Sequence, residues 1–185
     1  MLLIGCLPEG RKTEQHDVFF GIGASVKEVL EEAIASWPEA KASFHLDAWR
    51  EVTVVDNYAI TVMNSGTPKT NLHLFFLNLG GYKKNEFEEF HYKMLVVAEN
   101  KNEALKKAKQ TAFFKHTGFK GAHAHVDEKY GVDVDNVYLV KNILPANYKK
   151  ELHLVIEPLG TGDEKEDFIH LGYFRPQQVD RWANG

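Results

Sequence analysis

The segment His123-Ala-His125-Val-Asp127 combines residue types and a spacing that could hold a metal ion. In an extended strand, its first, third and fifth side chains share one face and lie about 6.5–7 Å apart. Two imidazoles and one carboxylate placed in this way can converge on a divalent cation. Their ligand character favours zinc, nickel or iron as the cofactor. The same pattern occurs in metal-dependent hydrolases, so a metal-dependent enzyme is one hypothesis for this chain.

Histidine occurs 9 times in the 185 residues, and other copies could contribute to a site. His45 and Asp47 repeat part of the pattern above and could assist the same ion. His16 and His91 form a further candidate polar site. Two interpretations without a metal remain open. One is an acid–base pair in which an aspartate orients a histidine, and the other is an exposed polar strand face that hydrogen-bonds to neighbouring strands.

The overall charge argues against a protein that coats nucleic acid. Lys and Arg number 22 and Asp and Glu number 26, so the net charge is −4, whereas non-specific binding to phosphates needs a positive field. The segment 100–121 differs, because it holds six lysines and three phenylalanines against one glutamate. Basic and aromatic residues together can bind single-stranded nucleic acid. The alternative is that these lysines solvate a helix, or that they pair with an acidic helix of the same or another molecule.

The cysteine content and the N-terminus predict a cytoplasmic protein without a membrane segment. Cys6 is the single cysteine, so it cannot form an internal disulfide. The opening Met-Leu-Leu-Ile-Gly-Cys has no basic region and falls short of the roughly 7–15 apolar residues of a signal peptide. No apolar run approaches the ~18 residues that span a bilayer.

The second half of the chain resembles the first when the sequence is compared with itself. Shifts of 75 and 80 residues align His16 with His91, Glu28 with Glu103, 45–58 with 125–138, and 72–80 with 152–160. Self-similarity at a nearly constant period indicates internal repeats. The sequence therefore predicts two full repeat units and a partial third unit.

Each full unit predicts two strands, a helix and two further strands. The first two strands are apolar runs at 2–7 and 18–22, and at 72–79 and 92–97. Capping-box spacing starts a helix at Ser25-Val-Lys-Glu28 and again at Asn100-Lys-Asn-Glu103. The last two strands form a hairpin that turns at 56–57 in the first unit and at 135–136 in the second, where Asp-Asn pairs accept turn geometry.

These elements predict an α+β fold of internally duplicated ββαββ-type units with a C-terminal β-hairpin. The helices must pack on antiparallel or mixed sheet, since they are too far apart to bury their apolar faces otherwise. Repeat unit 1 spans 1–66, repeat unit 2 spans 71–146, and the partial third unit spans 150–185. We expect one compact body with pseudo-twofold symmetry.

Several motifs recur in both units or close them. They are the His16-Asp17 step, the His-Leu-Asp and His-Val-Asp segments, Val132-Asp-Val-Asp-Asn136 and a final Ile-Leu-Pro. In these motifs the chain resembles the bacterial domain-of-unknown-function family numbered 1543. The resemblance implies one or two copies of the domain per chain and implies no established activity.

The sequence thus favours a small soluble binding or interaction module over an enzyme, with its small-molecule ligand unidentified. Such a module could self-associate through an edge strand or through its oppositely charged helices. The first alternative is a metal-dependent enzyme in which His123, His125 and Asp127 hold the ion. The second is nucleic-acid binding through the lysine-rich helix.

Overall fold

The computed structural model describes residues 1–40, 42–64, 70–82, 85–110, 132–160 and 166–178, with the backbone alone at 132–135 and 150–151. The described strands and α-helices, in chain order, are β1 (Leu2–Cys6), β2 (Gln15–Phe19), α1 (Val26–Ser36), β3 (His45–Trp49), β4 (Val54–Val55), β5 (Tyr58–Met63), β6 (His73–Tyr82), β7 (Glu89–Ala98), α2 (Lys101–Ala108), β8 (Val132–Leu139), α3 (Val140–Ile143), α4 (Ala146–Glu151), β9 (His153–Pro158) and β10 (His170–Phe174). Short 3-10 helices occur at Pro38–Ala40 and Pro176–Gln178. None of the described helices has the length and apolar character needed to cross a bilayer.

The fold is α+β and the chain divides into two compact units. Unit 1 comprises 1–54, 144–151 and 165–185, and unit 2 comprises 55–143 and 152–164. This division follows spatial contacts rather than sequence similarity. The repeat boundaries that the sequence indicates therefore remain a prediction.

Unit 1 contains a four-stranded antiparallel sheet in the order β10-β3-β1-β2. The helix α1 covers one face of this sheet, and its start is capped as predicted. The Ser25 hydroxyl oxygen accepts the N–H of Glu28 at 3.3 Å, and the Glu28 carboxylate accepts the N–H of Ala24 at 2.8 Å. Apolar residues of α1 that recur three and four residues apart form the core with the sheet: Val29, Leu30 and Ala33 are buried with Leu2, Ile4, Cys6 and Leu46.

Unit 2 contains the three-stranded sheet β7-β6-β8. It also contains β5 and β9, which pair with each other in the sheet β4-β5-β9. Its helix α2 begins as α1 does, because Asn100 Oδ1 accepts the N–H of Glu103 at 3.0 Å and the Glu103 carboxylate accepts the N–H of Glu99 at 2.9 Å. Ala104 and Ala108 of α2 are buried against β6 and β7, as their spacing predicts.

The first predicted hairpin is confirmed. Asp56 and Asn57 have φ of 52° and 63° and connect β4 to β5, which is the left-handed pair that a two-residue hairpin turn requires. The second predicted hairpin, at 135–136, is wrong. Residues 132–139 form the single strand β8, because pairing with β6 on both sides of an irregularity at position 135 outweighs the local turn preference of Asp-Asn.

The predicted C-terminal hairpin is also wrong. β9 pairs with β5 and β10 pairs with β3, so the two strands belong to different sheets. The second strand of the chain lies at Gln15–Phe19 rather than at 18–22. It begins earlier because its pairing with β1 extends to Gln15 opposite Cys6, and an edge strand tolerates polar residues.

Three strands of each unit share one connectivity. In unit 1, β1 lies between β2 and β3, and in unit 2, β6 lies between β7 and β8. All four of these pairings are antiparallel, and a helix connects the second strand to the third in both cases.

Asp167 fastens the segment before β10 to the chain after β3. Its carboxylate accepts from the Arg50 guanidinium at 2.6 Å, from the Thr53 hydroxyl at 2.6 Å and from the Val54 N–H at 3.0 Å. The Asp167 side chain is only 3% exposed, so these partners replace the water that the carboxylate loses.

Replacing Asp167 with alanine should lower the free energy of unfolding by about 3–5 kcal/mol, since it leaves the Arg50 charge and the backbone N–H groups of Thr53 and Val54 without their acceptor. Urea denaturation of the full chain measures this change. The neighbouring exposed residue supplies the control, because Glu166→Ala should change stability by less than about 0.5 kcal/mol. Equal stability of the two variants would contradict the assigned role of Asp167.

Candidate metal centre

Two histidines flank Gly5 on the sheet of unit 1. His16 in β2 and His45 in β3 are both register partners of Gly5 in β1. Side chains directly opposite each other in an antiparallel sheet project to the same face. Both imidazoles therefore lie on the face opposite to the one where Ile4 packs against α1.

Gly5 leaves the space that these groups occupy. A Cβ at this position would collide with His45 Nε2 and would lie 2.8 Å from Asp47 Oδ2. Real Cβ atoms do not approach neighbours so closely, and both neighbours are side chains held within the sheet. The lack of a side chain at Gly5 thus allows the polar groups to meet over the backbone of β1.

Four potential metal donors converge here, and we call them the β2–β3 cluster: Glu14, His16, His45 and Asp47. The Nε2 atom of His16 lies 3.2 Å from Asp47 Oδ2, and that of His45 lies 3.5 Å from Asp47 Oδ1. Glu14 Oε2 lies 4.0 and 3.9 Å from the same two nitrogens. Donors bound to one ion at about 2.0–2.2 Å lie about 3–3.5 Å apart. The separations to Asp47 match this range, and the exposed Glu14 lies about half an ångström farther from the two nitrogens.

The imidazole of His45 is oriented as a metal ligand is. Its Nδ1 lies 3.0 Å from the carbonyl oxygen of Ser43, and a carbonyl can only accept, so Nδ1 carries the proton. Nε2 then presents a lone pair to the cluster. This nitrogen belongs to a residue that is 1% exposed, and it has no hydrogen-bond partner within the described part of the chain. The ring of Tyr173 stacks on His45 at 4.3 Å between centroids.

Asp47 lies at an irregularity in β3. Leu46 and Ala48 pair with consecutive residues of β1, and Asp47 between them has no register partner. Asp47 is therefore the extra residue of a bulge. Burial raises the pKa of Asp47 and is the largest effect on it. The neighbouring His45 and His16 lower this pKa, and Glu14 raises it. Its Oδ2 atom is buried and lacks a hydrogen-bond partner among the described residues.

The structure brings together three of the residues that the sequence singled out and separates one. His16, His45 and Asp47 meet in the β2–β3 cluster, whereas His91 lies in β7 of unit 2 opposite Gly80. The candidate ligands His123, His125 and Asp127 lie outside the described residues.

Glu14 is the donor that sequence reasoning missed. It precedes β2, a strand that was expected to begin three residues later, and so its position next to His16 was not recognised. The signal available in the sequence was the Glu-x-His spacing, which places both residues on one face if the chain is extended.

The lysine-rich helix is partly engaged within unit 2. Lys107 Nζ donates to the carbonyl oxygen of Val97 at 2.6 Å and lies 3.6 Å from a Glu103 carboxylate oxygen. Lys106 is exposed. Nucleic-acid binding through this helix remains a prediction, and one of its lysines, Lys107, already contacts the backbone of β7.

The sequence that carries the cluster is similar to a described family. A family model described as Domain of Unknown Function (DUF1543) matches residues 11–62, a segment that includes all four donors. The crystal structure of protein Il1583 from Idiomarina loihiensis is similar over 94% of this chain and 92% of that chain, with a TM-score of 0.60. The sequences are 18% identical, so this likeness shows the fold alone. No curated protein matches this chain.

Replacing Asp47 with asparagine should stabilise the metal-free protein at pH 7 while weakening any metal binding. Because the pKa of Asp47 is raised above its ordinary value of 3.8, the folded state holds this proton to higher pH than the unfolded state. The stability that this group contributes is therefore lost as the pH rises above about 4. Asparagine removes that pH-dependent loss.

Thermal unfolding of metal-free protein between pH 4 and 8 measures the effect. The wild type should lose stability relative to Asp47→Asn as the pH rises through the lower part of this range. The exposed Asp17, on the neighbouring region of the same sheet in β2, provides the control, and Asp17→Asn should follow the wild-type profile. Parallel profiles for all three proteins would show that Asp47 titrates normally.

Proposed function

We propose that unit 1 is a binding module for a divalent transition-metal ion held by the β2–β3 cluster. The observation that carries this proposal is the buried Nε2 of His45, which faces two carboxylates and a second imidazole and has no hydrogen-bond partner among the described residues. A buried polar atom without a partner is costly in a stable fold. A bound cation removes that cost and also offsets the negative charges of Glu14 and Asp47.

The donor types define which ions suit the cluster. Two neutral imidazoles and two carboxylates match zinc, nickel or iron better than the all-oxygen shells of magnesium or calcium. The Ser43 carbonyl fixes the tautomer of His45, as hydrogen-bonded outer groups do in metal sites. When bound, such an ion supplies Lewis acidity and lowers the pKa of a coordinated water. Binding is the function that the geometry supports, and a hydrolytic activity is the alternative.

We also propose that the two units arose by internal duplication. The shared strand order supports this, as does Gly80 in β6, which pairs with His91 just as Gly5 pairs with His16. The irregularity between Leu3 and Ile4 recurs between Asn78 and Leu79, again 75 residues later.

The strand register of β8 differs from the sequence alignment proposed for the second part of the repeat. β8 pairs with β6 as β3 pairs with β1, so position 133 corresponds to His45, a shift of 88 residues rather than 80. That position holds aspartate. The two copies therefore differ in the donor that is most buried in unit 1.

We also propose that the protein is cytoplasmic and that it associates with a second copy of itself. The single free cysteine is buried, which suits a protein of the cytoplasm. Its sheet in unit 1 ends on β2 and β10, and an edge strand is where a second copy of the chain could pair.

Metal binding can be tested by titrating chelator-treated protein with zinc, nickel or iron(II). We expect one ion per chain in the cluster and a higher unfolding temperature when it is bound. His16→Ala should weaken binding about 100-fold or more, and its partly exposed position makes a folded variant the expected result. His73→Ala removes an exposed histidine of unit 2 and should leave the affinity unchanged.

A double variant, His123→Ala with His125→Ala, distinguishes this cluster from the site that the sequence first indicated. Loss of the ion in the double variant and its retention in His16→Ala would place the metal at residues 123–127 and would reject the β2–β3 cluster.

A further inference from the structure

We infer that the ion held by the β2–β3 cluster keeps exchangeable coordination positions on its solvent side, and that a small oxygen chelator carrying an apolar group binds there. This inference rests on the proposed metal binding. It concerns what reaches the ion from the side away from the sheet.

The protein donors surround only one side of the site. They come from β3, from β2 and from Glu14 just before β2, on a single face of the sheet, with the backbone of Gly5 beneath them. His45 is 1% exposed, whereas the side chains of His16 and Glu14 are 40% and 48% exposed. Solvent therefore reaches the cluster past these two residues, and an ion there can expand its coordination shell beyond the protein donors on that side.

Large apolar side chains are exposed next to the same site. Tyr173 stacks on His45 and is nevertheless 57% exposed. Leu171 is 77% exposed. It pairs with Ala48 of β3, and Ala48 pairs with Leu3 of β1. Leu3 and Gly5 are two residues apart on one strand, so Leu171 projects from the face that carries the cluster.

Charge and surface together define the ligand class. A divalent ion with the carboxylates of Glu14 and Asp47 is neutral overall, so charge alone attracts a further anion weakly. Contact with Leu171 and Tyr173 then has to supply the selectivity. The ligand that fits is a small oxygen chelator whose apolar body lies over these two side chains.

The test uses protein loaded with cobalt(II), whose visible absorption reports its coordination, and two probes that share one chelating group. Benzohydroxamate carries a ring and acetohydroxamate carries a methyl group. We expect both to shift the cobalt bands, with benzohydroxamate binding about tenfold more tightly because it buries more apolar surface. Gel filtration should recover cobalt and probe with the protein.

Leu171→Ser should reduce that preference to about threefold or less without loss of cobalt. Phe87→Ser provides the matched control, since it removes a fully exposed apolar side chain of unit 2, and it should retain the tenfold preference. Circular dichroism confirms that both variants are folded.

Three results would overturn the inference while the metal proposal stands. They are cobalt bands that neither probe shifts, extraction of cobalt without a ternary complex, and equal affinity for both probes. Failure of the chain to bind cobalt, zinc, nickel or iron would instead reject the metal site itself.

Discussion

The lack of a side chain at Gly5 is the constraint on which the candidate site depends. In an antiparallel sheet the residue opposite a polar side chain normally brings its own side chain to the same face, and the two compete for space. Here the central strand contributes only backbone, so His16 and His45 approach each other from both sides and Asp47 reaches between them. The bulge at Asp47 completes the arrangement without interrupting the core on the other face.

The two faces of this sheet therefore differ in what determines their residues. Under α1 the residues Leu2, Ile4 and Cys6 are buried among aliphatic groups, and any comparable side chain of similar volume preserves the fold. On the other face a buried imidazole and a carboxyl with a raised pKa are retained at a cost to stability. Such a cost is typical of positions where binding, rather than folding, determines the residue.

Local signals predicted much of the fold, and long-range pairing explains what they missed. Ser25 and Asn100 cap helices, and Asp56-Asn57 turns a hairpin, because each of these signals acts within four residues. The same Asp-Asn pair at 135–136 does not turn, since the strand pairs with β6 on both sides of the irregularity there. No local pattern could show that difference. For the same reason, Glu14 was missed while His16, His45 and Asp47 were identified.

Unit 1 is assembled from both ends of the chain, and this has a consequence for how the protein is made. Its sheet contains β10 as well as β1, β2 and β3, and the Asp167 carboxylate fixes the segment before β10 to Arg50. A ribosome therefore releases the donors of the cluster long before it releases Tyr173, which stacks on His45. The first strands of the nascent chain must remain soluble with an unpaired edge at β3 while the intervening residues are synthesised.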